Sequence, residues 1–232
     1  MGSEMCIRDS AGCSGKYPVA EPARTSRVSV VQERQRIGIF GGTFDPPHVA
    51  HVVLAANAVH QLLLDSLVVT VAGVPWQKVG SRNITEAETR LEMANEAFRD
   101  LEAVEVSDME LRRTGNSYTV DTLIELDGDN IDLFLLLGSD AAAGLDTWER
   151  FEEIASMATI AVFPRRGHED AEPPDGFSWE RLDLPGLEIS STDIRRRAQS
   201  GEPLDGLVPE RVRRLVEAHE LYSDPPPVAQ DS

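Results

Sequence analysis

Residues 41–51 read GGTFDPPHVAH, directly after the apolar run Ile37-Gly38-Ile39-Phe40. Glycines let a backbone approach a ligand closely, and the first N–H groups of a helix face anions. Gly41 and Gly42 stand after a first strand and before a helix, Thr43 offers a hydroxyl and an amide to a phosphate, and Asp45-Pro46-Pro47 stiffens the corner. His48 and His51 then fall on one face of the first helical turn. The pattern is neither G-x-G-x-x-G nor G-x-x-x-x-G-K-[ST], so neither a dinucleotide fingerprint nor a P-loop is present. Two histidines at this spacing suit a functional site, or they cap and pack at a helix start. A metal site wants a third protein ligand, and no nearby Glu-x-x-His or cysteine pair offers one.

A second cluster, ISSTDIR at 189–195, gathers Ser190, Ser191 and Thr192 where a helix begins. Hydroxyls, free N–H groups and the positive end of the helix dipole make such a start a phosphate site. Arg195, one turn on, reaches the same anion. Taken alone, the cluster reads equally as an ordinary cap followed by the solvated run Arg195 to Arg197. Of the 22 basic residues only Lys16 and Lys78 are lysines. Lys78 is therefore the single lysine of the folded body.

The elements that must position these residues are legible as apolar runs alternating with helical patterns. Runs at 36–41, 66–74, 103–107, 131–138 and 159–164 read as strands, and patterns at 48–63, 84–100, 117–126 and 148–158 as helices. This order predicts an α/β fold, a parallel sheet covered by helices on both faces. The nearly unbroken β-branched and aliphatic runs at 67–74 and 131–137 suit central strands. Thr85 with Glu88 reads as a capping box, and Pro209 as the first-turn residue of the last helix. The polar stretch 165–179 reads as a mobile surface loop, and His60, His168 and His219 as ordinary surface or packing residues.

Residues 1–35 are expected to be a disordered leader, 36–222 the folded domain and 223–232 a disordered tail. A start near residues 28–31 would open the chain just before its first strand. With 41% hydrophobic content in 232 residues, one good core is expected. The net charge of −18 would repel a phosphate backbone, which argues against nucleic acid as partner. Cys6 and Cys13 lie in the leader with no second pair to complete a zinc site, and no run is long enough to span a membrane. A cytoplasmic protein is expected, and a homo-oligomer is compatible with the sequence.

GGTFDPPHVAH resembles the G-x-F-D-P-x-H-x-G-H signature of the nucleotidyltransferases that share a His-x-Gly-His element with class I aminoacyl-tRNA synthetases, with Ala50 where that family has glycine. ISSTDIR is similar to the same family's I-S-S-T-x-I-R motif. VPWQK at 74–78, SYTVDTL at 117–123 and GSD at 138–140 followed by Trp148 resemble elements of the nicotinate-nucleotide adenylyltransferases, so the likeness spans residues 36–222. It implies a Rossmann-like doubly wound sheet with a small helical C-terminal region. It also implies transfer of AMP from ATP to nicotinate mononucleotide, giving deamido-NAD and pyrophosphate, with Mg²⁺ carried on ATP. By resemblance, His48, His51, Lys78 and Arg195 are catalytic. Gly41, Gly42, Thr43, Phe44, Ser190, Ser191 and Thr192 bind ATP, while Thr119, Asp140, Trp148, Glu149 and Lys78 bind the mononucleotide. Trp148 would stack on the pyridine ring or serve as a core aromatic heading its helix; Tyr118 is expected to pack and Arg112 to assist. Nicotinamide mononucleotide or phosphopantetheine as acceptor, or a nucleotide-binding regulator without turnover, are the rival readings.

Overall fold

Each apolar run named above forms a strand, and each helical pattern a helix. In the computed structural model, which describes residues 34–73, 84–115 and 117–223, the order is β1 (Gln35–Gly42), α1 (Val49–Gln61), β2 (Ser66–Val71), α2 (Ala87–Phe98), β3 (Val104–Ser107), α3 (Met109–Arg112), α4 (Thr119–Leu126), β4 (Ile131–Gly138), α5 (Ser139–Ala142), α6 (Phe151–Met157), β5 (Ala158–Phe163), β6 (Trp179–Arg181), α7 (Ser191–Gln199) and α8 (Glu210–Ala218). A 3-10 turn at Leu145–Thr147 separates α5 from α6. The described residues belong to one compact unit, Glu33–Ser232. Of the expected leader only Arg34 and Gln35 are described, the latter opening β1, and of the tail only Ser223.

The six strands form one sheet in the order β3-β2-β1-β4-β5-β6, and every neighbouring pair is parallel. Winding runs outward from β1 to β3, then restarts at β4 on the other side of β1. Connections leave the carboxyl ends of β1 and β4 in opposite directions, which opens a crevice there.

Side chains alternate across a strand, so each strand feeds both faces. Phe40, Val69, Phe134 and Leu136 pack on one face with Leu54 of α1, Phe98 of α2, Ile194 of α7 and Val212 of α8. Ile39, Val68, Leu135 and Ile160 pack on the other with Leu123 of α4, Ala142 of α5 and Ile154 of α6. Burial on both faces is why β2 and β4 read as nearly continuous apolar runs. Each such leucine or phenylalanine, fully buried, contributes about 1.5–3 kcal/mol. Among the described residues no helix is long and apolar enough to cross a membrane.

Local chemistry departs from expectation in four places. The N-cap of α2 is Glu86 with no side-chain cap bond, and the Thr85 carbonyl accepts instead from Arg90 Nε at 2.9 Å. With Glu86 as N-cap, Thr85 lies one residue before the capping position, so the expected box does not form. Pro209 is the N-cap of α8 rather than its first helical residue. The helical pattern starting at Trp148 becomes a helix only at Phe151, because Arg150 adopts a left-handed conformation with φ 55°. Past the largely exposed stretch 165–176, the chain docks: Phe177 and Trp179 pack on the second core face, and β6 follows as a three-residue strand too short to show alternation in sequence.

Candidate active site

The chain leaves β1 at Gly41-Gly42 and turns through residues 43–47 into α1. A Cβ on Gly42 would lie 2.8 Å from the Phe44 ring, so only glycine fits there. Phe44 itself has φ 49°, in the left-handed region, which costs a bulky residue about 1–2 kcal/mol. Edge contacts to Phe40 at 5.4 Å, His51 at 5.1 Å and Phe98 at 5.8 Å hold its buried ring in place. Four side chains from elsewhere fix the turn's polar atoms. Arg90 Nη1 donates to the Thr43 carbonyl at 2.9 Å, and Arg195 Nη1 to the Asp45 carbonyl at 2.6 Å. Ser191 Oγ donates to the Pro46 carbonyl at 2.9 Å, and the Tyr222 hydroxyl to Asp45 Oδ1 at 2.8 Å.

His48 is the N-cap of α1, and its backbone N–H donates to His51 Nδ1 at 3.1 Å. With Nδ1 accepting, a neutral His51 carries its proton on Nε2. The two imidazoles stack with centroids 3.6 Å apart and planes 16° from parallel. His48 is only 3% exposed. Burial, aided by the nearby positive charge of Arg165, pulls its pKa down to about 4, so it is neutral at pH 7. Among the described residues its Nδ1 is buried without a hydrogen-bond partner, and so is Oγ1 of Thr70 on β2. Leaving such groups unpaired costs about 1–3 kcal/mol each, which a polar ligand would relieve.

The second cluster behaves as its composition predicts. Ser190 is the N-cap of α7 and accepts from the Asp193 N–H at 3.1 Å. Arg195 differs from the expectation of an arginine extended toward an anion. Its terminal nitrogens donate to the Asp45 carbonyl and, at 3.0 Å, to Thr192 Oγ1, so it braces the first motif. On the far side, β4 ends at Gly138, where a Cβ would meet Asp140 Oδ1 at 2.5 Å and Arg165 Cγ at 2.9 Å. Thr119 is the first residue of α4, with Tyr118 before it packing on the second core face. Trp148 is half-buried against that face, and Glu149 is exposed.

These parts surround a cavity of about 620 Å³ at the carboxyl edge of the sheet. It is lined by Gly41, Gly42, Thr43, Phe44, His48 and His51, by Ser190, Ser191, Thr192 and Arg195, and by Thr119, Asp140, Trp148 and Glu149. Lys78 lies in 74–83, outside the described residues. Tyr118 both packs and lines the cavity, whereas Arg112 does not line it and pairs with Asp108 at 3.4 Å. Ala50, half-buried in the first turn of α1, is not part of the lining. Arg165, Thr70 and Glu110 line the cavity without having been expected. Arg165 had a signal, being a cation just past the carboxyl end of a strand, where ligands of parallel sheets sit. Arg90 and Tyr222 had none, since one sits in an ordinary amphipathic pattern and the other beyond the last helix.

The cytidylyltransferase-like family model matches residues 39–197. A relative from Albidiferax ferrireducens, named probable nicotinate-nucleotide adenylyltransferase, is 41% identical over 196 residues, covering 81% of this chain and 98% of its own length. One from Clostridium botulinum with the same name is 36% identical over 82% of this chain and 99% of its own. Among solved structures, the nicotinic acid mononucleotide adenylyltransferase of Plasmodium falciparum complexed with NaAD superposes with a TM-score of 0.67. It is 18% identical, with 82% of this chain and 98% of that one covered, a likeness of fold.

Proposed function

The chain belongs to the nicotinate-nucleotide adenylyltransferases of the cytidylyltransferase-like family, and from this we propose that it transfers AMP from ATP to nicotinate mononucleotide, yielding deamido-NAD and pyrophosphate in NAD biosynthesis in the cytoplasm. The observation that carries this reading is the junction of the two phosphate-type motifs. Residues 145 positions apart meet through Ser191 and Pro46, and both motifs contribute residues to one cavity whose other wall carries Thr119 and Trp148.

In the reaction, the mononucleotide phosphate attacks the α-phosphorus of ATP, in line with departing pyrophosphate. A phosphate is already a competent nucleophile near neutral pH, so no protein nucleophile or general base is needed. Catalysis rests on positioning and on donors aimed at developing charge. His48, neutral, and His51, through Nε2–H, donate to the α- and β-phosphates, with Thr43 and the N–H groups of the Gly42–Phe44 turn beside them. The start of α7, with Thr192, receives the leaving pyrophosphate, and Arg195 holds the two motifs together while adding positive charge. To Lys78 we assign, from the family resemblance of VPWQK, the role of a cation for the transferring group. Trp148 offers a face to the pyridinium, and Thr119 with the backbone near Glu149 meets the carboxylate, while Asp140 lines the same pocket. The donors around the phosphate end are mainly N–H groups and hydroxyls, which suit phosphate oxygens rather than a hard cation. Mg²⁺ would therefore be held by ATP oxygens and water and would neutralise the charge of the triphosphate.

Pyrophosphate release is the direct test, with ATP against nicotinate mononucleotide, nicotinamide mononucleotide, phosphopantetheine and FMN. The acid mononucleotide should turn over fastest. A preference for another acceptor would replace the substrate, and silence with all four would point to a nucleotide-binding regulator. Replacing Lys78 by Ala should lower turnover about 100-fold or more in a protein that still folds. Normal turnover in that variant would remove Lys78 from the mechanism.

A further inference from the structure

Arg90, in the first turn of α2, is 1% exposed, an unusual place for a guanidinium. Each of its three nitrogens donates to a backbone carbonyl from a different segment. Nε reaches Thr85 at the entry to α2, Nη1 reaches Thr43 in the turn after β1, both at 2.9 Å, and Nη2 reaches Gly73 beyond β2 at 3.3 Å. Burial works against its ionised form and lowers its pKa, and the Asp45 carboxylate, to which Tyr222 is hydrogen-bonded, is the strongest of the charges that oppose this. No part of this side chain lines the cavity.

Its effect on the cavity follows from peptide geometry. The C=O of residue 43 and the N–H of residue 44 share one rigid plane and point in opposite directions. A carbonyl drawn inward onto Arg90 therefore turns the Phe44 N–H the other way, and Phe44 does line the cavity. The left-handed Phe44 supplies the kind of turn in which successive N–H groups converge on an anion. We propose that Arg90 is a positioning residue for ATP: by holding the Thr43 carbonyl it fixes the Thr43–Phe44 peptide so that its N–H is presented to an ATP phosphate. The role needs arginine, because a planar fork bonds three fixed carbonyls at once and an ammonium on a flexible stem does not. It rests on the adenylyl-transfer reading for the identity of the anion.

The test compares wild type, Arg90→Lys and Arg90→Gln, each checked for native circular dichroism and assayed well below its melting temperature. A positioning role predicts a KM for ATP raised about tenfold or more, with the KM for nicotinate mononucleotide within about twofold of wild type. A folded Arg90→Lys protein with wild-type kinetics and only a lowered melting temperature would overturn it, as would an equal rise in both KM values. Should neither variant fold, the amide resonance of Phe44 in wild type decides: it should shift strongly on saturation with ATP alone, and an unmoved resonance overturns the proposal. Failure of the wild-type enzyme to transfer AMP to any acceptor is a separate outcome. It counts against the adenylyl-transfer reading itself, while ATP binding to the Phe44 amide still tests the role of Arg90.

Discussion

His48 stays uncharged at neutral pH because of where it is buried, and that has a consequence for stability. Its pKa of about 4 in the fold compares with 6.5 for an ordinary histidine. As pH falls below 6.5 the unfolded chain gains a proton here and the folded one does not, so stability declines until about pH 4 and then levels off. The full effect is roughly 3 kcal/mol. In His48→Asn, which keeps a good N-cap residue, the drop in melting temperature between pH 7 and about pH 4.5 should be smaller than in wild type. An equal acid sensitivity in both proteins would show that His48 titrates normally. The same neutrality leaves the ring as a hydrogen-bond donor without adding a fixed charge to the cavity.

At the scale of elements, the turn between β1 and α1 is held from outside itself. Tyr222, beyond α8, donates to the buried Asp45 carboxylate, and Ser191 and Arg195 of α7 hold the neighbouring carbonyls. Tyr222→Phe removes one hydrogen bond to a buried charge and should cost about 1–3 kcal/mol in denaturant unfolding, with a higher KM for ATP. Unchanged stability and KM would show that the C-terminal segment merely rests on the turn. This bracing also marks what sequence could and could not convey. The glycines, paired histidines and Ser/Ser/Thr helix start are local patterns with local physics, so they were legible, as were strands whose apolar runs reflect burial on both faces. Arg90 and Tyr222 act on carbonyls and a carboxylate 47 and 177 positions away, and no local pattern encodes such a distance. The capping box at Thr85 failed for a different, local reason, because the helix starts one residue later, with Glu86 as N-cap. Arg165 stood at the end of a readable strand and was recoverable from topology.

For the molecule as a whole, binding two polyanions with a net charge of −18 requires the unlike charge to be gathered in one place. Arg165 and Arg195 both line the cavity, set among helix starts whose N–H groups add to the positive field. ATP that touches both α7 and the turn after β1 ties separate parts of the fold together. At about 100 times its dissociation constant, Mg-ATP should raise the melting temperature by roughly 5 °C or more, and Arg195→Ala should shrink that shift. A melting curve indifferent to ATP would mean that the cavity does not take it. The two core faces carry a further implication. The motifs expected to hold the nucleotide donor rise from α1 and α7, packed on one face, and those expected to hold the acceptor come from α4 and the Trp148 segment, packed on the other. Their supports are therefore largely unshared. Selection can remodel what receives the adenylyl group by altering one core while the machinery that delivers it keeps its own foundations, so donor chemistry and acceptor choice are free to diverge at different rates.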